Sequence, residues 1–446
     1  MARGGYSGGV ADCGVDRGSE NRLFRCDMAD MSKDLFAKVQ SYEAYALRQE
    51  LELRNLLPYF RTVQGPPCAV TMIGGAPRVN LGSSNYLGLS GDPRLTEAAH
   101  LATQRYGTSI NGSRLMNGTT ALHLEVEAAV ADWFGEEDAL VFSSGYSTNL
   151  GVIGALVGPQ DVAVCDAGDH ASILDGAGLA RGRLLPFRHN RMDRLEALLR
   201  RAADSDGGTL VVVDTVYSMQ GDLSDIVGVT TLSRRYGARL LADEAHATGV
   251  LGPTGQGVAA LACLADAVDL RMGTFSKALG GSGGFVTGPA DVIDFLRVQA
   301  RSFMFTAAAP PSGIGAALTG IRIAQSAEGD ERRQHLEANA ARLRTALADL
   351  GFAVPAVSLA AAGTQVQTPI LRVPAPDDLT AARMWKVLYD HGIYVNVALY
   401  PAVPKGQSQL RVSVMATHTE EHLERVVDAF TVVARKLAVV DMPDGA

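Results

Sequence analysis

The 446-residue sequence is 47% hydrophobic and 20% charged, a balance typical of a folded protein large enough for more than one core. Its net charge of −8, with no long run of Lys and Arg, argues against a nucleic-acid partner. The five cysteines are scattered and never spaced C-x-x-C, and no apolar run is long enough to span a membrane. We therefore expect a cytoplasmic protein with no disulfide framework and no metal site.

The N-terminal part of the chain contains two segments of different sequence pattern. Residues 1–27 are rich in Gly, Asp and Arg without apolar periodicity, and they predict a disordered extension. Whether the protein starts at Met1, Met28 or Met31 stays open. Residues 28–77 predict a helical arm, because apolar side chains recur every three to four positions. Those side chains are Leu35, Val39, Tyr42, Tyr45, Leu53 and Leu56.

Between residues 78 and 325, short apolar runs alternate with helical patterns. The runs read DALVFSS, DVAVCDA, GRLLPF, TLVVVDT, ARLLADE, VDLRMGTF and GGFVTG. Strands this apolar, separated by helices, indicate an α/β domain whose mostly parallel sheet is covered on both faces. Residues 326–446 combine three helical patterns with the strand runs TPILRVP and QLRVSVM, and they predict a smaller C-terminal α+β domain.

Ligands of open α/β sheets bind at the carboxyl ends of the strands, so residues that follow an apolar run are informative. SSGYSTN follows the first run and could cradle a phosphate at a helix N-terminus, although an ordinary turn capped by Ser144 looks the same. ADEAHATG places Asp243, Glu244 and His246 at another strand end. The letters Asp-Glu-Ala-His also occur in helicases, but the phosphate loop of those proteins needs a Gly-Lys dipeptide that this chain lacks. Residues that merely cap a loop remain the alternative.

Lys277 stands in the stretch GTFSKALGGSGGF, between a buried-strand pattern and four glycines that let the backbone pass close to a ligand. A lysine is usually a solvated surface residue. A desolvated lysine with a lowered pKa is instead the amine that forms an imine with an aldehyde. A phosphate cradle, an aspartate and such a lysine are what pyridoxal 5'-phosphate (PLP) requires as anchor, ring-nitrogen partner and imine.

From about Leu35 to the end, the chain resembles the α-oxoamine synthases, which are fold-type I PLP-dependent enzymes. The resemblance rests on motifs in order along the chain: GSSNYLGL, GSRLMNGT with LHLEVE, SSGYSTN, DHASILDG, VYSMQGD, DEAHATG, TFSKALGG and LRVSVMATHT. The family includes serine palmitoyltransferase, 8-amino-7-oxononanoate synthase, 2-amino-3-ketobutyrate ligase and 5-aminolevulinate synthase. The resemblance therefore implies a fold-type I PLP-dependent transferase, with a mostly parallel central sheet between helices and a smaller C-terminal α+β domain.

The resemblance also implies roles for individual residues. Lys277 would form the imine with PLP and Asp243 would keep the ring nitrogen protonated. His246 would hydrogen-bond the phenolic oxygen, with Ser218 near it, and His123 would stack on the ring. Lys277, Asp243, His246 and His123 are the implied catalytic set. Phosphate-side residues would be Ser144, Gly145, Tyr146 and Thr274, and substrate-side residues would be Asn85 and Arg411.

The implied reaction is a decarboxylative condensation of an amino acid, serine or alanine favoured, with an acyl thioester. An acyltransferase of this kind releases CO2 and an α-aminoketone, most like serine palmitoyltransferase. An 8-amino-7-oxononanoate synthase-like or glycine C-acetyltransferase-like acyl transfer is the alternative, and an aminotransferase of the same fold is a third reading. The acyl group could arrive on coenzyme A or on an acyl carrier protein. The family also implies a homodimer.

Three departures from the family pattern affect this reading. Ala307 and Ala308 stand where relatives carry Ser or Thr in a segment that reaches the phosphate of the partner subunit. The usual Glu-Gly before VYSM is Asp214–Thr215 here. Leu399 occupies the place of an arginine of bacterial serine palmitoyltransferases, which weakens the preference for serine.

Overall fold

The computed structural model of the protein describes residues 35–359 and 364–440, so the predicted disordered extension, residues 1–27, lies outside the described residues. The strands are β1 (Val63–Gln64), β2 (Val70–Ile73), β3 (Ala76–Leu81), β4 (Asp138–Phe142), β5 (Val162–Asp166), β6 (Arg183–Phe187), β7 (Thr209–Asp214), β8 (Arg239–Asp243), β9 (Leu270–Thr274), β10 (Gly284–Gly288), β11 (Ser358–Leu359), β12 (Thr364–Gln365), β13 (Ile370–Pro374), β14 (Ile393–Ala398) and β15 (Gln409–Ser413). The helices are α1 (Ala37–Ser41), α2 (Glu43–Leu53), α3 (Pro93–Tyr106), α4 (Ala121–Phe134), α5 (Gly145–Leu156), α6 (Ala171–Leu179), α7 (Met192–Ala203), α8 (Ile226–Arg235), α9 (Val258–Leu261), α10 (Ala290–Gln299), α11 (Arg301–Met304), α12 (Pro311–Ala324), α13 (Ala327–Asp349), α14 (Asp378–Asp390) and α15 (Glu420–Leu437). Within the described residues, those from 35 to 54 belong to one compact unit, and those from 55 onward belong to another.

The larger sheet has seven strands in the order β4-β10-β9-β8-β7-β5-β6. Strands β6, β5, β7, β8 and β9 run parallel, and β10 is antiparallel to both of its neighbours. The strands β5, β9 and β10 are buried along their whole length, as strands covered on both faces must be. The seven apolar runs of the sequence are these seven strands, and the predicted mostly parallel α/β sheet is confirmed.

The smaller sheet has six strands in the order β1-β2-β3-β14-β15-β13. It joins the C-terminal strands to β3, which pairs parallel with β14. The predicted C-terminal elements form at α13, β13, α14, β15 and α15, while β14 was not predicted as a strand.

The helical arm predicted for residues 28–77 needs correction. Helix occurs at α1 and α2, but residues 63–77 contain β1, β2 and the start of β3. The hairpin between β2 and β3 turns at Gly74 and Gly75, which have φ values of 59° and 82°. Two glycines with positive φ between alternating residues are a type I′ hairpin signal, and helical spacing in the preceding residues obscured it. Within the described residues, no helix has the length and apolarity to cross a membrane.

Candidate active site

The carboxyl edge of the larger sheet collects several ionisable side chains. Asp214 ends β7 and Asp243 ends β8, and the two residues are directly paired in the ladder. Lys277 follows β9, the next strand, by three residues. Burial lowers the pKa of the Lys277 ammonium from 10.5 to about 8, although Asp243 and Asp214 act in the opposite direction. A lysine whose neutral amine is accessible near neutral pH thus lies at this edge.

Asp243 is held by two donors. The Nδ2 atom of Asn149, on α5, donates to its Oδ2 over 2.8 Å, and the backbone N–H of Ala245 donates to its Oδ1 over 2.9 Å. Asn149 also donates to the hydroxyl of Ser172 over 2.9 Å. Asp243 is only 3% exposed. These bonds fix the carboxylate while leaving lone pairs for a further N–H, because each carboxylate oxygen accepts more than one hydrogen bond.

The start of α5 lies against the end of β9. Ser144 caps the helix, and its hydroxyl accepts the backbone N–H of Ser147 over 3.0 Å. A Cβ added to Gly145 would stand 3.2 Å from Cβ of Thr274, closer than most such contacts. The hydroxyl of Thr274 donates to the Gly283 carbonyl over 2.9 Å. A helix N-terminus with its positive dipole end and a threonine hydroxyl therefore meet in one place, which suits a phosphate.

Tyr146 stands beside this cradle. Its ring is exposed, its hydroxyl donates to Asp175, and its ring centroid lies 6.3 Å from that of His170. Ser144, Gly145, Tyr146 and Thr274, predicted as phosphate-side residues, are thus grouped at the α5 start.

The imidazole close to Lys277 and Asp243 belongs to His170. Its backbone N–H donates to Oδ2 of Asp214 over 2.9 Å, and its Nδ1 lies 2.8 Å from the Ser172 hydroxyl, which Asn149 connects to Asp243. Burial lowers the pKa of His170, an effect that Asp243 opposes and Lys277 reinforces. The motif DHASILDG contains His170, but the sequence analysis assigns this residue no role. The signal was available, since His170 follows the carboxyl end of β5.

The structure places His123 elsewhere. It lies on the first turn of α4, where its Nδ1 is 2.8 Å from the Thr120 hydroxyl in a capping box. Burial lowers its pKa to about 4, and Arg114 is the charged group that adds to this effect. Nothing in its contacts joins it to Lys277 or Asp243, so the prediction that His123 stacks on a cofactor ring is not supported by its position. His123 instead takes part in the capping box at the start of α4.

His246, Tyr86 and Arg411 form a buried hydrogen-bonded chain. Nδ1 of His246 is 2.7 Å from the Tyr86 hydroxyl, and Nη2 of Arg411 donates to the same hydroxyl over 3.4 Å. Arg411 can only donate, so the tyrosine proton is directed at His246 Nδ1, and the ring then carries its own proton on Nε2. Burial lowers the pKa of His246 well below 6.5, which keeps the ring neutral. Nε2–H of His246 is consequently a donor fixed in place by Tyr86, a residue that sequence reasoning missed.

Arg411 brings the two sheets together. It lies on β15, its Nε donates to the Ser218 carbonyl over 2.5 Å, and its Nη1 donates to the Ser413 hydroxyl over 2.9 Å. Ser218 follows β7, so Arg411 lies against the segment that carries Ser218, and the predicted place of Ser218 near His246 stays a prediction. Asn85 does not join them through its side chain. Its amide donates to the Pro67 carbonyl and accepts from the Ser90 N–H, each over 3.1 Å, which fixes the loop that carries Tyr86.

The structure shows the contacts or burial of residues at the three positions that depart from the family pattern. Ala307 is exposed, and the backbone N–H of Ala308 donates to the Gly112 carbonyl over 2.9 Å. Thr215 donates its hydroxyl to the fully buried Glu244 carboxylate over 2.5 Å. Leu399 is 3% exposed, in the loop that follows β14.

Glu244 serves the loop rather than a ligand. Its two oxygens accept the backbone N–H groups of Val258 and Ala259 over 2.9 Å each. Within the residues that the structure describes, no group of three or more His, Cys, Asp or Glu side chains could hold a metal ion.

Comparison with known proteins agrees with this geometry. The family model described as "Aminotransferase class I and II" matches residues 76–430. The chain is 39% identical over 409 residues to a serine palmitoyltransferase of Caulobacter vibrioides, which spans 91% of this chain and 98% of the relative. It is 41% identical over 392 residues to an 8-amino-7-oxononanoate synthase of Geobacter sulfurreducens, which spans 88% of this chain and 98% of the relative.

Comparison with solved structures also finds serine palmitoyltransferases. A serine palmitoyltransferase of S. paucimobilis with a bound PLP–myriocin aldimine superposes with a TM-score of 0.85 at 36% identity, covering 92% of this chain and all of the other. A Sphingomonas wittichii serine palmitoyltransferase gives the same four values. This chain belongs to the class I and II aminotransferase family, and within it to the α-oxoamine synthase group of fold-type I PLP-dependent enzymes.

Proposed function

We propose that this chain is a PLP-dependent acyltransferase that condenses an amino acid with an acyl thioester. Carbon dioxide and a free thiol are released, and the product is an α-aminoketone. The observation that carries the proposal is the desolvated Lys277, with a pKa of about 8, beside the carboxylate of Asp243 at the sheet edge. The proposed setting is a cytoplasmic homodimer.

The residues present fit PLP. Gly145 lets the α5 start pack close to Thr274, because a Cβ there would stand 3.2 Å from Thr274 Cβ, and the free N–H groups of this helix end suit a phosphate. Asp243 keeps free lone pairs for a protonated ring nitrogen, and His170, which interacts electrostatically with Asp243 and Lys277, would flank the ring, a role we assign to it in place of His123. When bound, PLP supplies an aldehyde that condenses with amines and a ring that accepts an electron pair.

Each polar side chain of the site has a task in this reaction. The neutral amine of Lys277 takes the α-proton of the amino acid, since its lowered pKa leaves an appreciable free-base fraction at working pH. The Nε2–H of His246 would donate to the phenolic oxygen of PLP, and Tyr86 fixes that tautomer. Arg411 holds the substrate carboxylate, a task that suits its planar set of donors.

Serine and alanine are both candidate amino acids. The relatives at 39% and 41% identity are a serine palmitoyltransferase and an 8-amino-7-oxononanoate synthase. Leu399 is apolar and buried where bacterial serine palmitoyltransferases carry an arginine, which favours the smaller, less polar alanine. Each amino acid is titrated into the PLP-loaded protein while its visible absorbance is recorded. The amino acid that changes the absorbance at the lower concentration is the preferred substrate.

The test of the proposal replaces Lys277 with alanine. Lys277→Ala is expected to abolish the visible absorbance of the reconstituted protein and all product formation, while Lys386→Ala leaves both unchanged. Lys386 is the matched control because it pairs with Asp390 on the surface of α14. Unchanged visible absorbance and unchanged turnover in Lys277→Ala would refute the proposed function. Exchange of the amino group with a keto acid, without reaction with any thioester, would indicate an aminotransferase instead.

A further inference from the structure

One loop connects the larger sheet to side chains of the smaller sheet. Residues 215–224 follow β7 and fold back, so that Val216 pairs antiparallel with Leu223 in an isolated bridge. At the tip of this loop, three backbone carbonyls accept hydrogen bonds from side chains on or near the smaller sheet. The pairs, acceptor first, are Ser218 with Arg411 over 2.5 Å, Met219 with Gln409 over 2.6 Å, and Gly221 with Thr368 over 2.5 Å.

The opposite side of the loop is held by His189, which follows β6. Nε2 of His189 lies 3.0 Å from Oδ2 of Asp222, a residue of the loop. Its Nδ1 lies 3.0 Å from Oδ1 of Asp166, the last residue of β5. The ring also packs edge-on against Tyr217, with 4.3 Å between the ring centroids. One imidazole therefore connects the end of β5 to the loop.

The His189 ring is positively charged in this arrangement. An ionised carboxylate only accepts hydrogen bonds, so the ring bonds both carboxylates only when each of its nitrogens carries a proton. Burial lowers the pKa of His189, but the hydrogen bonds to Asp166 and Asp222 outweigh burial and raise it from 6.5 to about 10. Hydrogen bonds between charged groups are stronger than neutral ones. The connection is therefore a strong one at neutral pH.

The sheet end of this connection is rigid. Asp166 is fully buried, and its two oxygens accept the backbone N–H groups of Gly168 over 2.7 Å and of Asn190 over 2.8 Å. Asn190 adds a second link to the loop, because its Nδ2 donates to the Leu223 carbonyl over 2.9 Å. The loop is thus fastened to a fixed point at the end of β5.

The position of the loop matters for Arg411. A guanidinium grips a carboxylate best through two parallel N–H donors, which is a directional arrangement. Because Nε of Arg411 donates to the Ser218 carbonyl, the loop sets the rotation of the guanidinium plane. Displacement of the loop would turn the remaining donors away from a substrate carboxylate.

We propose that His189 is a positioning residue for the amino-acid substrate. By linking Asp166 to Asp222, it holds the loop where the Ser218 carbonyl orients Arg411 towards the substrate carboxylate. The proposal rests on the acyl-transfer function and specifies what aligns the group that binds the amino acid. His189 acts through the loop and takes no part in the chemical step.

The test compares ligands with and without a carboxylate. Serine and alanine, and the corresponding amines ethanolamine and ethylamine, are titrated into the PLP-loaded protein while its visible absorbance is recorded. In His189→Gln, the dissociation constants of both amino acids should rise about tenfold, which corresponds to about 1.4 kcal/mol, the size of one hydrogen bond. Those of the amines should not change, because the amines offer Arg411 no carboxylate. In turnover, KM for the amino acid should rise with kcat nearly unchanged.

Two further variants complete the set. Asp222→Ala removes the loop end of the connection at a side chain that is 37% exposed, and it should cause the same selective loss. It carries the test if His189→Gln does not fold. His391→Gln is the matched control, because His391 is exposed and its Nδ1 lies 2.7 Å from the Val387 carbonyl of the preceding helix, α14. It should leave the binding of all four ligands unchanged.

A double-mutant cycle ties the effect to Arg411. In an Arg411→Lys background, His189→Gln should weaken amino-acid binding little further, because both changes act on the same carboxylate contact. Fully additive losses would contradict the proposed route through Arg411.

Two other results would overturn the role of His189. One is an equal loss of affinity for amines and amino acids, which would make His189 a general support of the fold. The other is unchanged amino-acid binding in both His189→Gln and Asp222→Ala. Selective loss of amino-acid binding in a protein that reacts with no thioester would refute only the acyl-transfer function. Turnover together with either overturning result would refute only the role of His189.

Discussion

The lowered pKa of Lys277 makes a prediction about the stability of the cofactor-free protein. Burial penalises the ammonium form in the folded state, so the pKa is about 8 when folded and 10.5 when unfolded. Between those values the unfolded chain binds more protons than the folded chain. The free energy of unfolding must therefore rise with pH across this window, from the contribution of Lys277 alone.

The magnitude follows from the size of the shift. A difference of about 2.5 pKa units, at about 1.4 kcal/mol each, corresponds to a penalty of about 3 kcal/mol at neutral pH. Most of that penalty, about 2.5 kcal/mol, is relieved between about pH 7 and pH 10. Below pH 7 both states hold the proton, so the penalty is constant there.

Replacement of Lys277 by methionine isolates this contribution, since methionine fills similar space without a charge. Urea unfolding of the cofactor-free native protein and of Lys277→Met at about pH 7 and pH 10 gives four free energies. Between pH 7 and pH 10, the free energy of unfolding of the native protein should rise by about 2.5 kcal/mol more than that of Lys277→Met. Other groups titrate in both proteins and cancel in the difference. A difference between the two proteins that does not change with pH would refute the claim that the amine is desolvated.

Three further substitutions probe other contacts of the site. Asp243→Asn should lower kcat by about a hundredfold or more, because it removes the preorganised charge at the ring nitrogen; a rate measurement with saturating PLP checks this. Tyr86→Phe should cost about 1 kcal/mol of transition-state stabilisation, roughly a fivefold fall in kcat/KM, because His246 loses its hydroxyl partner. Thr215→Val should lower the free energy of unfolding by about 1–3 kcal/mol through the buried Glu244, with kcat unchanged.

Much of the larger sheet could be predicted because its strands are continuous apolar runs, and a run buried on both faces carries a strong local signal. Asp243 and Lys277 could be located by the same reasoning, since each follows such a run. The β2–β3 hairpin was missed because half-exposed strands of four and six residues resemble a helical pattern in composition. The parallel pairing of β14 with β3 could not be predicted from local sequence, since β3 lies more than three hundred residues earlier in the chain.

The choice between the two histidines shows a different limit. His123 and His170 both open helices, and each ring contacts a hydroxyl of its own first turn or cap. A capping role is therefore local and visible in the sequence, whereas proximity to Lys277 depends on the order of strands in the sheet. His170 follows β5, which lies beside β7, and β7 lies beside β8. Its place after the carboxyl end of a strand makes His170 a candidate from sequence, and the strand order then separates it from the structural His123.

The paired carboxyl groups of Asp214 and Asp243 differ in their hydrogen-bond partners. Burial raises the pKa of Asp214 well above 3.8, and the neighbouring Asp243 raises it further, against a smaller opposing effect of Lys277. Asp214 accepts one backbone N–H, from His170, while Asp243 accepts two donors, from Asn149 and Ala245. Burial lowers the pKa of Lys277 and outweighs Asp243 and Asp214, which both act to raise it, so the amine keeps a pKa of about 8 beside this pair.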